Sequence, residues 1–166
     1  MYLYLVRHGE AKREEEDPLR SLSDKGISDV SRIASHLQYL YLPVLRIFHS
    51  PKVRAKQTAE ILCEYLRPVN GVTEADGLAP LDSPEVWATR IRDMKEDFMI
   101  VGHLPHLVRL ASVLLCGTSV TDIIAFRTAG IVCLKRDDAG AWSLEWALAP
   151  EIVPGDGGKG YSCDSL

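Results

Sequence analysis

The chain has 166 residues, 46% of them hydrophobic and 25% charged, and its formal net charge is -4. This length suits one domain, because two domains would each be too small to bury a good core. The acidic balance and the lack of a long basic run exclude general affinity for nucleic acid or anionic membrane. Any anion site must therefore be a local cluster of Arg and His.

The first half of the chain alternates predicted strands and helices. Met1 to Val6 is apolar without strict alternation, which is typical of a central strand buried on both faces. A charged loop is expected over Lys12 to Pro18, and Ser23 is a predicted N-cap of the first helix. Val44 to Phe48 then reads as a second strand, and the helical spacing of apolar residues predicts a helix over Lys52 to Leu66.

The middle of the chain continues the same alternation. Val69 to Glu74 is a short predicted strand. Ser83 is a predicted capping residue for a helix with Pro84 at its first position, running to about Lys95. Phe98 to Gly102 is another apolar strand. Strands separated by helices predict a mainly parallel sheet with helices on both faces.

The C-terminal part differs in pattern. A helix is expected over Pro105 to Cys116, and Gly130 to Arg136 with Trp142 to Ala147 reads as a hairpin. We therefore predict a single α/β domain over residues 1–153, with three α/β/α layers, a mainly parallel central sheet and C-terminal hairpin strands. The Gly-rich tail over 154–166 is expected to be mobile.

Other features favour a cytoplasmic protein. Met1 to Val6 is far too short for a signal peptide. The apolar segment Leu104 to Cys116 contains His106 and Arg109, which is typical of a buried helix rather than a membrane span. The four cysteines are scattered without a CxxC pair, so we expect reduced thiols and neither a zinc cluster nor a disulfide framework.

Basic and polar residues follow three of the predicted strands. Arg7-His8, His49-Ser50 and Gly102-His103 each stand where an apolar run ends. Ligands of parallel α/β sheets bind beyond the carboxyl ends of the strands. The sequence therefore predicts an anion site at this end of the sheet.

The residue types at these strand ends suit phosphoryl transfer without a metal. Such a site needs a nucleophile and fixed positive charge around the phosphoryl oxygens. Neutral imidazole can serve as the nucleophile near pH 7, and the planar fork of Arg donates two hydrogen bonds to a phosphate. Arg54 falls in the first turn of a predicted helix, whose N-terminus also favours an anion. Gly9 is expected to let the backbone turn sharply near the ligand.

These segments resemble a known family. Four of them, in order along the chain, are similar to the signatures of the histidine phosphatase (phosphoglycerate mutase-like) superfamily. They are Arg7-His8-Gly9-Glu10-Ala11, Arg20-x-Leu22-Ser23-x-x-Gly26, Ser50-Pro51-x-x-Arg54-Ala55-x-Gln57-Thr58-Ala59 and Gly102-His103-x-Pro105. The similarity covers roughly Leu3 to Leu148. Within the superfamily the chain looks most like the short bacterial SixA-type phosphohistidine phosphatases.

The resemblance implies a metal-independent mechanism without a cofactor. In it His8 is the nucleophile and is transiently phosphorylated, Arg7 and Arg54 hold the phosphoryl oxygens, and His103 donates a further hydrogen bond. A zinc-like triad of His8, His49 and His103 is disfavoured, because two arginines in the same pocket would repel a cation.

Supporting roles stay open for the neighbouring residues. Glu10 is expected either to orient Arg7 or Arg54 or to join a surface ion pair. Ser50 is either a turn residue or a direct contact of the ligand, and His49 next to it could border the pocket. Gln57 and Thr58 either contact the ligand or pack within the helix, and the residues alone do not decide between these alternatives.

One departure from the family pattern bears on the substrate. The stretch between the second and third signatures is short, so little chain remains for a lid or an acidic proton donor. Glu74, Asp76 and Asp82 are the carboxylates nearby, and none stands in a clear family context. A donor matters most for an alkoxide leaving group. We therefore expect a phosphohistidine on the surface of a protein partner.

Three other functions are compatible with parts of the pattern. A small-molecule phosphomonoesterase of the same superfamily would use the same residues on a small phosphorylated substrate. A mutase would need a closed cavity that excludes water, for which this chain is short. A non-catalytic phospho-binding module would not need the intact His8.

Overall fold

A computed structural model of the chain describes residues 1–119 and 123–154. Its elements alternate along the chain up to the C-terminal hairpin. In chain order they are β1 (Tyr2–Arg7), α1 (Asp24–Gln38), β2 (Arg46–His49), α2 (Val53–Leu66), β3 (Val72–Glu74), α3 (Pro84–Asp93), β4 (Phe98–Gly102), α4 (His106–Cys116), β5 (Ile131–Arg136) and β6 (Trp142–Leu148), followed by a 3-10 turn over Pro150–Ile152.

The strands form a six-stranded sheet in the order β3-β2-β4-β1-β5-β6. The first four of these are parallel, whereas β5 pairs antiparallel with both β1 and β6. The predicted mainly parallel sheet and C-terminal hairpin are thus confirmed. Strands β2, β4 and β1 are neighbours, so their carboxyl ends lie side by side.

The two faces of the sheet carry separate cores. Tyr4 and Val6 of β1 pack with α1 and α2, while Leu3 and Leu5 pack with α3 and α4. Because successive side chains of a strand point to opposite faces, a strand buried on both sides must be apolar throughout. This is why β1 shows no alternation, and it confirms the three-layer α/β/α architecture.

The helix starts confirm one predicted cap and correct another. The Ser23 hydroxyl accepts the N–H of Gly26 at 3.0 Å, as expected of an N-cap. Ser83 precedes α3 but its side chain makes no capping bond. The helix nevertheless begins at Pro84, whose fixed φ suits a first helical position. It ends at Asp93 rather than near Lys95, because the backbone of Met94 is extended.

Two further expectations concern the ends of elements and of the chain. Strand β3 starts at Val72 rather than Val69, since Gly71 before it has a φ of +60° and closes a turn. Beyond Pro154, the predicted tail lies outside the described residues. Within the described part, every helix is too short or too polar to cross a membrane.

Candidate active site

Three strand ends meet at one place on the sheet edge. The backbone N–H of His8 donates to the carbonyl of Gly102 at 3.1 Å, and that of Ser50 donates to Val101 at 3.1 Å. The rings of His8 and His103 lie with their centroids 4.8 Å apart. The structure therefore brings the predicted residues of β1, β2 and β4 together.

Two hydrogen bonds define the protonation of His8. Its Nδ1 lies 2.7 Å from the carbonyl oxygen of Gly9, which can only accept, so Nδ1 carries the proton. The Nε–H of Arg54 donates to Nε2 at 3.2 Å. Since a guanidinium can only donate, Nε2 holds a lone pair. His8 thus presents an unprotonated nitrogen next to a fixed positive charge.

The surroundings of His8 keep it neutral. Burial, together with the charges of Arg54, Arg7 and Arg20, lowers the pKa of its imidazole from 6.5 to about 4, against the raising effect of the bond to Gly9. At neutral pH the ring is therefore unprotonated at Nε2. A neutral imidazole in this position can act as a nitrogen nucleophile.

The two predicted arginines stand beside this ring from different elements. Arg54 lies in the first turn of α2, and Arg7 is the last residue of β1. The Nη1 of Arg7 donates to the carbonyl of Phe126 at 3.1 Å, which holds one arm of its fork. Partial burial lowers the pKa of both guanidinium groups, yet both remain charged at any physiological pH.

His103 completes the group from the end of β4. Its Nε2 lies 2.9 Å from the hydroxyl of Ser50, and both side chains are buried. Burial lowers the pKa of His103 to about 3, with smaller contributions from the charges of His8, Arg54 and Lys52. Its Nδ1 is buried without a hydrogen-bond partner within the described residues. Ser50 is therefore a partner of His103 rather than only a turn residue.

Gly9 serves a different purpose from the one expected. Its φ is not in the left-handed region. A Cβ at this position would lie 2.8 Å from Val30 and 2.9 Å from the carbonyl of Gly26, so the residue is small because α1 packs against it. A Cβ at Gly26 would in turn lie 2.0 Å from the carbonyl of Glu10. The His8 loop and the start of α1 are thus in backbone contact.

Side chains of α2 hold the same loop. The N–H of Gly9 donates to the hydroxyl of Thr58 at 3.1 Å, and that hydroxyl donates to the carbonyl of Arg54 at 2.7 Å. The amide oxygen of Gln57 accepts the N–H of Leu22 at 2.7 Å. These contacts favour a structural role for Gln57 and Thr58 over direct ligand contact.

The carboxylates near the site bond elsewhere. Glu10 accepts a hydrogen bond from the Ser23 hydroxyl at 2.9 Å and so joins the loop to α1, which neither expected role described. Asp76 forms an ion pair with Arg90 at 2.9 Å, and Asp82 accepts the N–H of Ala79 at 2.7 Å. Glu74 is exposed at the end of β3. None of these carboxylates is among the groups that shift the pKa of His8 or His103.

The sequence analysis assigned no role to two cations that act on the site. The charge of Arg20 lowers the pKa of both His8 and Arg54, and the charge of Lys52 lowers that of His103. Both lie within the quoted family segments, which was the available signal. The charges that act on the two imidazoles are thus all positive, in a chain whose net charge is -4.

The residues present suit an anion better than a cation. Among residues 1–119 and 123–154 no group of three or more His, Cys, Asp or Glu side chains could hold a metal ion. His49, considered above as a third ligand, is buried with its Nδ1 2.8 Å from the carbonyl of Ser50. The arrangement of one neutral imidazole and several guanidinium groups can bind a tetrahedral oxyanion and attack its central atom.

Comparisons with known proteins point to one superfamily. A sequence profile of the histidine phosphatase superfamily (branch 1) matches residues 3–98. Phosphohistidine phosphatase SixA of Escherichia coli K12 is 23% identical over 155 residues, which cover 90% of this chain and 94% of that protein. An uncharacterized protein of Picosynechococcus sp. is 36% identical over 147 residues, covering 84% and 87% of the two chains.

The fold comparison gives the same result. The solved structure of the protein histidine phosphatase SixA complexed with tungstate superposes with a TM-score of 0.80 at 22% identity, covering 90% of this chain and 97% of that one. At this identity the likeness concerns the fold. The resemblance to SixA-type proteins that the motifs suggested is therefore confirmed for sequence pattern and architecture.

Proposed function

The chain belongs to branch 1 of the histidine phosphatase superfamily, and from that premise we propose that it removes phosphate from a phosphohistidine on a protein. The phosphoryl group passes first to Nε2 of His8 and then to water. A small phosphorylated molecule is the alternative substrate within the same chemistry.

The observation that carries this proposal is the protonation of His8. Its Nδ1–H is committed to the Gly9 carbonyl, and its Nε2 faces the Nε–H of Arg54 at 3.2 Å. A phosphoryl group that enters beside Arg54 meets the lone pair of the ring and the guanidinium together. Arg54 then exchanges the ring nitrogen for a phosphoryl oxygen, which frees Nε2 for attack.

The reaction proceeds in two displacements at phosphorus. In the first, the bond between His8 Nε2 and phosphorus forms while the bond from phosphorus to the substrate nitrogen breaks, and the substrate ring, which carries a proton on its other nitrogen, leaves as neutral imidazole. In the second, a water oxygen bonds to phosphorus as the bond to Nε2 breaks, which releases inorganic phosphate and restores neutral His8. Arg7 and Arg54 hold the oxygens through both steps, and His103 donates a further hydrogen bond.

The contacts of the nearby carboxylates support the proposed substrate class. Asp76 pairs with Arg90 of α3 and Asp82 accepts an N–H of its own loop, and neither is among the groups that shift the pKa of His8 or His103. An alkoxide needs a proton donor to leave, whereas an imidazole is a far better leaving group. The name of the Escherichia coli relative, a phosphohistidine phosphatase, supports the same choice.

Trapping of the intermediate tests the mechanism. Brief incubation with a labelled phosphohistidine protein, followed by alkaline quench, should leave acid-labile, base-stable label on the peptide that contains His8. The variant His8→Asn should take up none, and the matched control His36→Asn, on α1, should label normally. Label on any other residue, or turnover by His8→Asn at the wild-type rate, would contradict the mechanism.

A substrate panel tests the finer assignment. We expect kcat/KM for a phosphohistidine-bearing protein domain to exceed that for sugar phosphates and for phosphoserine. If sugar phosphates are hydrolysed far faster by a His8-dependent reaction, the small-molecule alternative is correct and the protein substrate is not.

A further inference from the structure

The end of β2 places Ser50 directly beside the end of β4. Its backbone N–H donates to the carbonyl of Val101 at 3.1 Å, and its own carbonyl oxygen lies 2.8 Å from Nδ1 of His49. The Ser50 hydroxyl lies 2.9 Å from Nε2 of His103, and both residues are buried. The backbone of Ser50 is therefore held by two bonds, and its hydroxyl is fixed against the imidazole of His103.

A second hydrogen bond shows where the proton of the Ser50 hydroxyl goes. The backbone N–H of Lys52 donates to the hydroxyl oxygen at 3.4 Å, which uses one of its lone pairs. In the part of the chain that the structure describes, Nε2 of His103 is then the acceptor that remains for the hydroxyl proton. A buried hydroxyl whose proton is unpaired loses the free energy of a hydrogen bond. Ser50 is therefore the donor to Nε2 of His103.

The direction of this bond fixes the tautomer of His103. Burial, together with the charges of His8 and Arg54, lowers the pKa of the ring to about 3, so the ring carries a single proton at neutral pH. Because Nε2 accepts from Ser50, that proton is on Nδ1. The opposite tautomer would leave two buried groups unpaired, the hydroxyl proton of Ser50 and the lone pair of Nδ1. With the proton on Nδ1, only this N–H is unpaired within the described residues.

The unpaired N–H of His103 belongs to a ring that lies against the nucleophile. The centroids of the His8 and His103 rings are 4.8 Å apart, and their planes are inclined by 55°. Buried donors without a partner are rare in proteins, and an acceptor that arrives with a ligand is one reason for them. A phosphoryl group on Nε2 of His8 would bring such acceptors, since its oxygen atoms carry free lone pairs.

From these contacts we propose that Ser50 is a positioning residue, whose hydroxyl holds His103 in the tautomer that donates its Nδ1–H to an oxygen of the phosphoryl group on His8. The inference rests on the proposed function, and it specifies which nitrogen of His103 donates and what keeps the proton there. Ser50 acts through the ring of His103 without touching the phosphoryl group. Neither role expected from the sequence, a turn residue or a direct contact of the ligand, describes this task.

NMR of the imidazole nitrogens tests the tautomer in the free protein, without a substrate. At neutral pH, proton–nitrogen correlation spectra should show a protonated Nδ1 and an unprotonated Nε2 for His103, with His103→Gln to assign the signals. In Ser50→Ala the proton should move, wholly or in part, to Nε2, because this nitrogen no longer receives a hydrogen bond. Ser50→Thr keeps the hydroxyl and should keep the wild-type tautomer. Ser112→Ala removes an equally buried hydroxyl from α4 and should leave the signals unchanged.

A double-mutant cycle tests whether Ser50 works through His103. With p-nitrophenyl phosphate as substrate, Ser50→Ala should lower kcat about tenfold with little change in KM, because it weakens a donor that is used in the transition state. In the His103→Gln background the same substitution should change kcat by less than about twofold, since the donor that Ser50 positions is already lost. Ser50→Thr should retain most of the wild-type rate.

Two kinds of result would overturn the inference. The first is a wild-type His103 with its proton on Nε2, or an unchanged tautomer in folded Ser50→Ala, and the wild-type spectrum decides this point even if a variant fails to fold. The second is an equal loss of kcat in both backgrounds, which would give Ser50 a role independent of His103. Failure of the His8 labelling would instead contradict the proposed function, and the tautomer measured in the free protein would be unaffected.

Discussion

Residues 9–23 and residues 75–83 both follow strands at the carboxyl end of the sheet. Their charged groups differ in whether they act on His8 or bond to other parts of the molecule. In the first segment hydrogen bonds to α1 and α2 fix the backbone around the pocket, and the charge of Arg20 reaches His8. In the second, Asp76 is 86% exposed and pairs with Arg90 on α3, while Asp82 bonds to its own loop.

The difference separates two tasks of a phosphatase. Groups that hold the phosphoryl oxygens must be in place before the reaction, because electrostatic stabilisation is effective only when it is preorganised. A group that protonates the leaving atom must approach the substrate on the opposite side, and here Asp76 bonds to Arg90 and Asp82 bonds to Ala79. Under the proposed function, the fixed groups would serve binding and attack, and the departure of the leaving group would depend on the chemistry of the substrate.

Removing the charge of Arg54, in the helix that bonds to residues 9–23, has the largest expected effect. Arg54→Ala should lower kcat by about two to three powers of ten, as for other transition-state donors. Arg54→Lys should recover part of the loss, because it keeps the charge without the planar fork. Lys56→Ala, exposed on the same helix, is the control. A change of less than fivefold in Arg54→Ala would show that the guanidinium does not hold the phosphoryl group.

Titration of His8 measures the combined effect of burial and the neighbouring cations on its pKa. Because the pKa of His8 is lowered to about 4, its ring should stay neutral from pH 8 down to about pH 5 and take a proton only near pH 4. NMR of the ring nitrogens follows this directly, with His8→Asn to assign the signals. Protonation near pH 6.5, the value of a free imidazole, would contradict the picture of a buried, cation-flanked nucleophile.

The same shift has a consequence for stability, with a definite sign. Between pH 6.5 and 4 the unfolded chain has its histidine protonated while folded His8 does not, so the unfolded state binds more protons. The free energy of unfolding should therefore fall as the pH drops through this window, by at most about 1.4 kcal/mol per pH unit for each such histidine. Urea denaturation at several pH values should show a smaller slope for His8→Asn.

Neutralising the carboxylates in and just before residues 75–83 should have the smallest effect. Glu74→Gln, Asp76→Asn and Asp82→Asn should each change kcat/KM for a phosphohistidine protein by less than about threefold, because an imidazole leaving group does not need a carboxylic acid. A hundredfold loss in one of these variants, with its stability intact, would identify a proton donor and reverse the contrast between the two segments.

Much of the fold could be predicted because the decisive patterns are local. The apolar run of β1 and the polar residues after it place His8 at a strand end, and Ser23 marks the start of α1 through its own side chain. The neighbouring positions of β1, β2 and β4 then bring His8, Ser50 and His103 together.

The remainder depends on contacts between distant segments, which a single sequence does not display. The charge of Arg20 lowers the pKa of His8, although the loop over Lys12 to Pro18 separates the two residues in the sequence. Gly9 is small because α1 packs against it, and its own neighbours in the sequence do not indicate this. The missing cap bond of Ser83 likewise shows that a suitable residue type does not guarantee the contact.

The hydroxyl of Thr58 links the residue after His8 to the backbone of Arg54. It bonds at once to the N–H of Gly9 and to the carbonyl of Arg54, so the residue after the imidazole and the backbone of the guanidinium share one atom. We therefore expect the start of α2 and the end of β1 to move together in thermal motion, which would preserve the spacing between His8 and Arg54.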